Sequence, residues 1–579
     1  MIRATRALVR ALATGVAITT LAAASASAAV QPPKGTAKPT PGSGMGTSAA
    51  MSNPRCHTGT EFGVYGQFDG IRQGQGPVCV KPWSSGDNNG GATASGVTKD
   101  AVRVVVVTPL PSQTAGAAAP MNRASGATGT YADAYHDYFE AYMRLYETWG
   151  RDLDVRFVPS TGSDEAQQRS DALTIKELKP FAAIIAVSQG LPTLAAELAK
   201  AKILVQGAAT TREIQAQAPY RWNVTDPQAS ALNAAAFVGT QLAGKKAEYG
   251  GQDVSGSTRK FGFVYINDLV DRALVEKTLR QHGGAGFASV ATYTAPGSIT
   301  GDATSAQEQA PVIVQRLKAA GVTTVMLVAD SAMTSALMKQ ATQQQYFPEW
   351  FFTGSLFSDL PLFARGYPTD QTAHAFGLTQ GVPPLPPTLA GKEYTGAPGA
   401  LNWYWGPTNG TTQNAPDSDV QWLLGGIHAA GPKLTAQTFK QGWFSTPPRP
   451  ASEIVSGPIT AYGRSAGLPY DSYSQFGGDY STFWWDPDLQ ALSWGVESVG
   501  KGNTWFLNDA ARYTLGTVPS KPLKFFSKSN AIHSFDNPPP LSPVAACTGC
   551  PSQGGTETAG TPRPEGFVAK YFAHPTGSG

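Results

Sequence analysis

Few residues of this chain have the type and spacing to do chemistry. Gly463-Arg464-Ser465-Ala466-Gly467 has the G-x-S-x-G spacing of a serine nucleophile. That serine works only on a sharp turn between a strand and a helix, with a histidine in reach. Here Pro469 follows two residues later among Tyr, Ser, Gly and Asp, so the pattern predicts a loop. Cys547-Thr548-Gly549-Cys550 spells C-x-x-C. Redox chemistry would need a helix N-terminus to lower a thiol pKa, and zinc would need two further ligands at fixed spacing. The motif instead runs into Pro551 and a polar tail, so Cys547 and Cys550, with Cys56 and Cys79, read as structural disulfides. Four cysteines allow three pairings, and all stay open. The seven histidines, His57, His136, His282, His374, His428, His533 and His574, show no pair at helical spacing and no H-E-x-x-H. No metal site is expected. There is no P-loop and no G-x-G-x-x-G between a strand and a helix, so no nucleotide cofactor is expected and the chain reads as a non-enzyme.

The elements that would position any site come from the rest of the composition. Of 579 residues, 41% are apolar and only 15% charged, with a formal net charge of +3. That is enough apolar surface for real cores, and too little field for a nucleic-acid partner or an anionic membrane. Arg3, Arg6 and Arg10, the apolar run 11–24 and Ala26-Ser27-Ala28 have the layout of a signal peptide cleaved near Ala28. No later run is long and apolar enough to span a bilayer, and the first cysteine, Cys56, lies too far on for lipid attachment. A secreted (extracellular or periplasmic) chain without a lipid anchor is expected. Residues 29–53 read as a linker and 54–96 as a Gly-rich, Cys-containing extension.

At Val104 the texture changes to strand–helix alternation. Val104 to Val107, Ala182 to Val187, Ile203 to Gln206, Phe261 to Ile266, Val325 to Val328, Trp350 to Thr353 and Ala375 to Thr379 are short apolar runs. They have the character of parallel strands buried on both faces. Between them lie helical stripes, one carrying Tyr135, Tyr138, Phe139 and Tyr142 and others at Asp164 to Leu178, Asp271 to Gln281, Val312 to Ala320 and Met333 to Gln345. Two runs of such units predict an α/β fold of two doubly wound parallel-sheet lobes, with an N-terminal disulfide segment and a C-terminal tail. The expected first lobe comprises 97–225 and 373–478, the second 226–372 and 479–519. Residues 520–579 are expected to be a largely disordered extension. Tyr480 to Trp485 and Leu492 to Val496 read as antiparallel strands about Asp486-Pro487-Asp488. Eight of the twelve tryptophans lie beyond residue 400, in positions that suit core and lobe contacts.

Ile203-Leu204-Val205-Gln206-Gly207-Ala208-Ala209-Thr210-Thr211-Arg212-Glu213-Ile214 is similar to a strand–turn–helix segment, I-L-x-x-S-P-G-A-T-x-P-E-L. That segment belongs to the type I periplasmic binding proteins of the leucine/isoleucine/valine-binding kind. The order and spacing of Leu317 to Val322, Met338 to Ala341, Phe347 to Trp350 and Gly425 to Gly431 resemble the same family. The front segment resembles a secreted bacterial subgroup of it. The resemblance covers roughly 97–519. It implies three crossovers between the lobes and a small solute captured between them by hinge closure, then handed to an ABC permease in the membrane. It also implies a monomer. Carried over position by position, it places ligand contacts at Ser188, Gln189, Gly190, Ala208, Ala209 and Thr210 in the first lobe. In the second lobe the family's ligand-facing Tyr would fall near Leu269 to Asp271, where there is none. Its acid would fall near Ser355, leaving Asn267, Asp268, Asp330 and Ser355 as candidates. A branched-chain amino acid therefore fits poorly, and another amino-acid-like or other small polar or amphiphilic solute fits better. Two other readings stay open: a sensing or interaction module on this fold that partners a cell-surface protein, and a secreted hydrolase using Ser465.

Overall fold

The computed structural model describes residues 86–108, 146–186, 191–207, 209–295, 301–383, 416–445, 467–490, 501–519 and 523–534, with scattered positions between them. The β-branched run becomes strand β1 (Ala101–Thr108). Val104 and Val106 enter one core and Val105 and Val107 another, so the strand is buried on both faces. The chain continues through β2 (Asp152–Pro159), α1 (Glu165–Glu177), β3 (Ala182–Ile185), α2 (Pro192–Lys200), β4 (Leu204–Gln206), α3 (Thr211–Gln217) and β5 (Arg221–Thr225). Asp164 caps α1 by accepting from the N–H of Gln167, whose side chain reaches back to the Asp164 N–H. This reciprocal capping box fixes the helix start.

After Pro227 the chain leaves this sheet. Helix α4 (Pro227–Phe237) is buried along its whole length and continues as a π turn to Leu242. Then follow β6 (Phe261–Ile266), α5 (Arg272–Gln281), β7 (Phe287–Tyr293), α6 (Ala303–Ala319), β8 (Thr324–Val328), α7 (Ser331–Gln343), β9 (Glu349–Thr353) and β10 (Ala375–Thr379). Helices α8 (Pro416–Ala430) and α9 (Ala436–Ser445) return to the first core, and β11 (Ser474–Phe476) pairs in parallel with β5. The chain ends in the second sheet with β12 (Asp479–Asp486), β13 (Asn503–Leu507), β14 (Tyr513–Thr514) and β15 (Ala531–Ile532). The first sheet has the order β11-β5-β4-β3-β1-β2, all parallel. The second runs β15-β13-β12-β10-β9-β8-β6-β7, parallel from β10 to β7 and antiparallel beyond, with β14 paired to β12.

Four expectations differ from the structure. Ala375 to Thr379 lies in the second sheet, not the first lobe, because β10 pairs in parallel with β9 and antiparallel with β12. Gly377 permits that seam: at φ +147 it has no Cβ, and one there would lie 2.3 Å from the Phe352 carbonyl oxygen. The return to the first lobe therefore falls between Thr379 and Pro416. Second, β12 pairs with β13, not with Leu492 to Val496, where Leu492–Ser493 and Val496–Glu497 pair with each other. Third, the second lobe does not stop at 519. Phe525 is buried against Phe376, ring centroids 4.6 Å apart, and β15 pairs with β13, so apolar burial orders 523–534. Helix α6 also starts earlier than Val312, at Ala303, because Asp302 caps it by accepting from the N–H of Ser305 at 2.6 Å and Pro311 is carried inside.

Among the described residues no helix is long and apolar enough to cross a membrane. Cys56 lies in a short strand, Cys56–His57, paired with Gln67–Phe68, while Cys79, Cys547, Cys550 and Ser465 fall outside the described residues.

Candidate functional site

All three crossings leave or enter at the carboxyl ends of parallel strands. β5 ends at Thr225 and passes to α4, β10 ends at Thr379 and leads to α8, and β11 ends at Phe476 and enters β12 at Asp479. The carboxyl ends of both sheets thus flank the hinge, the place where open α/β sheets bind ligands.

The hinge is stitched by buried polar groups. Asp226, 4% exposed, accepts from the N–H of Ala229 at 3.0 Å, from Tyr470 Oη at 2.9 Å and from Ser472 Oγ at 2.7 Å. Burial pushes its carboxyl above the ordinary value, and those donors oppose the shift. The first and third crossovers lie side by side, with the Asp226 N–H donating to the Phe476 carbonyl at 2.8 Å and Asn233 Nδ2 to the Gly477 carbonyl at 3.1 Å. Gly477 has φ +113, and a Cβ there would lie 2.8 Å from the Asp226 carbonyl oxygen. Arg512 joins the second and third crossovers. Its guanidinium pairs with the Asp479 carboxylate and Nη1 donates to the Gly381 carbonyl at 3.4 Å, while Gln380 Nε2 donates to the Asp479 carbonyl at 2.6 Å.

On the first lobe's edge, Ser188, Gln189, Gly190 and Ala208 lie outside the described residues. Ala209 is buried, and its carbonyl accepts from Asn223 Nδ2 at 3.3 Å. Thr210 is the N-cap of α3: its Oγ1 accepts from the Glu213 N–H at 3.2 Å, and the Glu213 carboxylate accepts from the Thr210 N–H at 2.8 Å and Oγ1 at 3.0 Å. Both polar groups of Thr210 are therefore engaged in the cap.

On the second lobe's edge, the Asn267 N–H donates to the Tyr293 carbonyl at 2.8 Å and its Nδ2 to Asp268 Oδ2 at 3.0 Å. Asp268 is exposed at φ +60. Asp330 is 1% exposed and caps α7, accepting from the Met333 N–H at 2.9 Å and from Tyr293 Oη at 2.7 Å. Burial raises its carboxyl and raises the Tyr293 phenol well above its ordinary range. Ser355 is buried beside Thr353, Oγ to Oγ1 2.7 Å; since Thr353 donates to the Leu327 carbonyl at 2.7 Å, Ser355 is the donor between them.

Sequence reasoning missed two groups on these edges. Asp359, 4% exposed, follows β9, and its Oδ2 has no hydrogen-bond partner. Burial pushes its carboxyl up to about 6, opposed by the Thr379 hydroxyl. The second group lies in the first lobe: Gln206 ends β4, Gln475 sits in β11, and Asp419 and Gln421 lie early in α8, all buried. Gln475 Nε2 donates to Gln421 Oε1 at 2.8 Å, and Tyr135 Oη donates to Asp419 Oδ2 at 2.6 Å. No spacing rule marks them, because what sets them apart is burial of polar atoms, which only the fold reveals. Among the described residues no cluster of three or more His, Cys, Asp or Glu could hold a metal ion.

No family model matches the chain, and no curated protein matches it. Solved structures do resemble it. A substrate-binding protein of an ABC transporter from Aeropyrum pernix is 12% identical, covering 73% of this chain and 97% of that one, with a TM-score of 0.45. A leucine-, isoleucine-, valine-, threonine- and alanine-binding protein from Brucella ovis, in a closed conformation, is 11% identical over 74% of this chain and 99% of that one, with a TM-score of 0.43. A fatty acid ABC transporter substrate-binding protein from Thermomonospora curvata is 14% identical over 71% of this chain and 94% of that one, with a TM-score of 0.39. Likeness at this level carries no conclusion about ligand or partner.

Proposed function

We propose that this chain is a secreted solute-binding protein that captures a small polar or amphiphilic molecule between its lobes and delivers it to an ABC permease. One observation carries the reading: three crossings, all at the carboxyl ends of parallel strands, leave both ligand-competent sheet edges flanking one buried hinge. Hinge closure about a ligand is the motion such a connection supports. The sequence resemblance of 97–519 supports the same reading. The lobes comprise 97–225 with 416–478, and 226–379 with 479–534. The chain acts as a monomer, without catalysis and without a cofactor.

Within the cleft, Asp359 replaces the acid that the sequence lacks at Ser355, and Ala209, ahead of α3, lies on the edge of the other lobe. The test is a thermal-shift screen of the secreted chain against amino acids, amides, short acids and sugars. Binding to the native state alone raises stability by RT ln(1 + [L]/Kd), about 2.7 kcal/mol at a hundredfold excess over Kd. One chemical class giving a saturable shift is the expected result; no shift from any class removes the reading.

A further inference from the structure

The buried amides of the first lobe are not accounted for by packing. Gln206 is 1% exposed, yet neither its Oε1 nor its Nε2 has a hydrogen-bond partner. A buried polar group left without a partner loses its hydration for nothing, so native folds nearly always satisfy such groups. Gln475 is 2% exposed, and its Oε1 is also without a partner, although its Nε2 is held by Gln421. Trp422 Nε1, in α8 with its ring 6.2 Å from that of Trp222, is a third buried group with none.

Gln206 and Gln475 lie on one face of the first sheet, on β4 and β11 with β5 between them. Gln206 is in register with Trp222 across the parallel β4–β5 pair, so the two side chains share a face. Ser474 is in register with Asn223 and Phe476 with Thr225, which sets Gln475 level with Val224 on the face of Trp222 and Tyr473. Trp222 and Tyr473 belong to the core under α8, so both amides face α8, at the carboxyl end of the sheet beside the hinge. Among the described residues, the first-lobe cations Arg151 and Lys440 are engaged. Arg151 donates to the carbonyls of Thr98, Asn89 and Pro432, and Lys440 lies over the rings of Phe444 and Tyr473. Among the described residues an anion here would meet no unengaged counter-charge and would be costly to bury.

From this we infer that the amide-lined face of the first lobe under α8 is a subsite for a neutral carboxamide or urea-type group. Gln206 would give it one acceptor and one donor, and Gln475 a second acceptor. The inference rests on the solute-binding reading and narrows it, because a neutral amide, unlike a carboxylate, returns a donor and an acceptor to the same side chain.

The test titrates the full secreted chain with acetamide, propionamide and, as a control of equal size, propionate, following binding by calorimetry and melting temperature. Both amides are expected to saturate and propionate is not. Gln206→Leu should weaken amide binding at least about tenfold, and Gln475→Met by a smaller factor. Gln206→Leu should melt at or above the wild type, since replacing an unpartnered amide by a shape-matched apolar group removes a penalty. Amides that never saturate, equal binding by Gln206→Leu, or a marked fall in its melting temperature would each overturn the assignment. The last two would mark the amide as structural or held by a buried water. If another solute binds and Gln206→Leu leaves its affinity unchanged, the subsite falls while the solute-binding reading stands. If nothing binds, both fall.

Discussion

Removing Arg512 should loosen the hinge, whereas removing Arg259 should only weaken the fold. Both arginines form buried ion pairs in the second lobe, with side-chain exposures of 6% and 0% for Arg512–Asp479 and 3% and 0% for Arg259–Glu349. Taking one partner from such a pair costs about 3–5 kcal/mol, because the other charge stays buried. Glu349 keeps other donors, the N–H groups of Glu248 and Tyr249 and the Thr324 hydroxyl, so Arg259→Ala should fall near the low end, about 3 kcal/mol. Arg512 also holds the Gly381 carbonyl at the second crossover, so its loss should fall in the upper half of that range. The separating readout is ligand affinity. Arg259 and Glu349 lie at the amino ends of β6 and β9, away from the hinge, whereas Arg512 joins two crossovers. A shift in the closure equilibrium divides the apparent affinity by the fraction that can close, so Arg512→Ala should change Kd by about tenfold and Arg259→Ala by less than about twofold. Urea unfolding followed by tryptophan fluorescence gives the stabilities, and calorimetric titration with the bound solute gives the affinities. Arg512→Ala costing under about 1 kcal/mol, or Arg259→Ala changing affinity as much as Arg512→Ala, would refute this assignment of the hinge.

Asp359→Asn should stabilise the unliganded protein at neutral pH. Burial holds the Asp359 carboxyl at about 6, above its ordinary value, so the stability of its neutral form is complete below about pH 4 and is lost as pH rises through about 6. The gain should reach at most about 3 kcal/mol at pH 8 and vanish by pH 4 in denaturation curves; a gain independent of pH would rule out the titration of Asp359 as its source. Gly477→Ala forces a Cβ toward the Asp226 carbonyl at a left-handed φ and should cost about 1–3 kcal/mol, seen as a lowered urea midpoint; no change would mean that the crossover is not held as described. Thr210→Ala should cost about 1 kcal/mol through the lost cap of α3, with ligand affinity nearly unchanged because both polar groups of Thr210 already serve the cap.

Much of the fold was legible because it rests on local pattern. Val104 to Val107 could only be a strand buried on both faces, and Asp164, Asp271 and Gly321 punctuate helices as their chemistry requires. Sheet membership was not legible. The strand Ala375 to Thr379 was plain, but its lobe depends on Gly377 admitting the Phe352 backbone, a contact that no spacing encodes. The stripe Val312 to Ala320 showed only the later part of α6, whose start is set by the Asp302 cap, with Pro311 carried inside. In the site, Thr210 and Asp330 were visible as polar residues at strand ends, yet a cap and a ligand contact look alike in sequence, and their hydrogen bonds show caps. Gln206 and Asp359 stayed hidden for the opposite reason: one reads as the end of a strand and the other as a loop acid until burial leaves both amide atoms of Gln206 and Oδ2 of Asp359 without partners.

Capture of a solute by closure of two lobes about the hinge formed by Asp226, Gly477 and Arg512 must change the dimensions of the protein in solution. Small-angle X-ray scattering of the purified chain, with and without the solute that saturates its thermal shift, tests it most directly. A smaller radius of gyration with solute is expected, and a reduced contraction in Arg512→Ala at saturation. Tight binding with unchanged scattering in both proteins would contradict it.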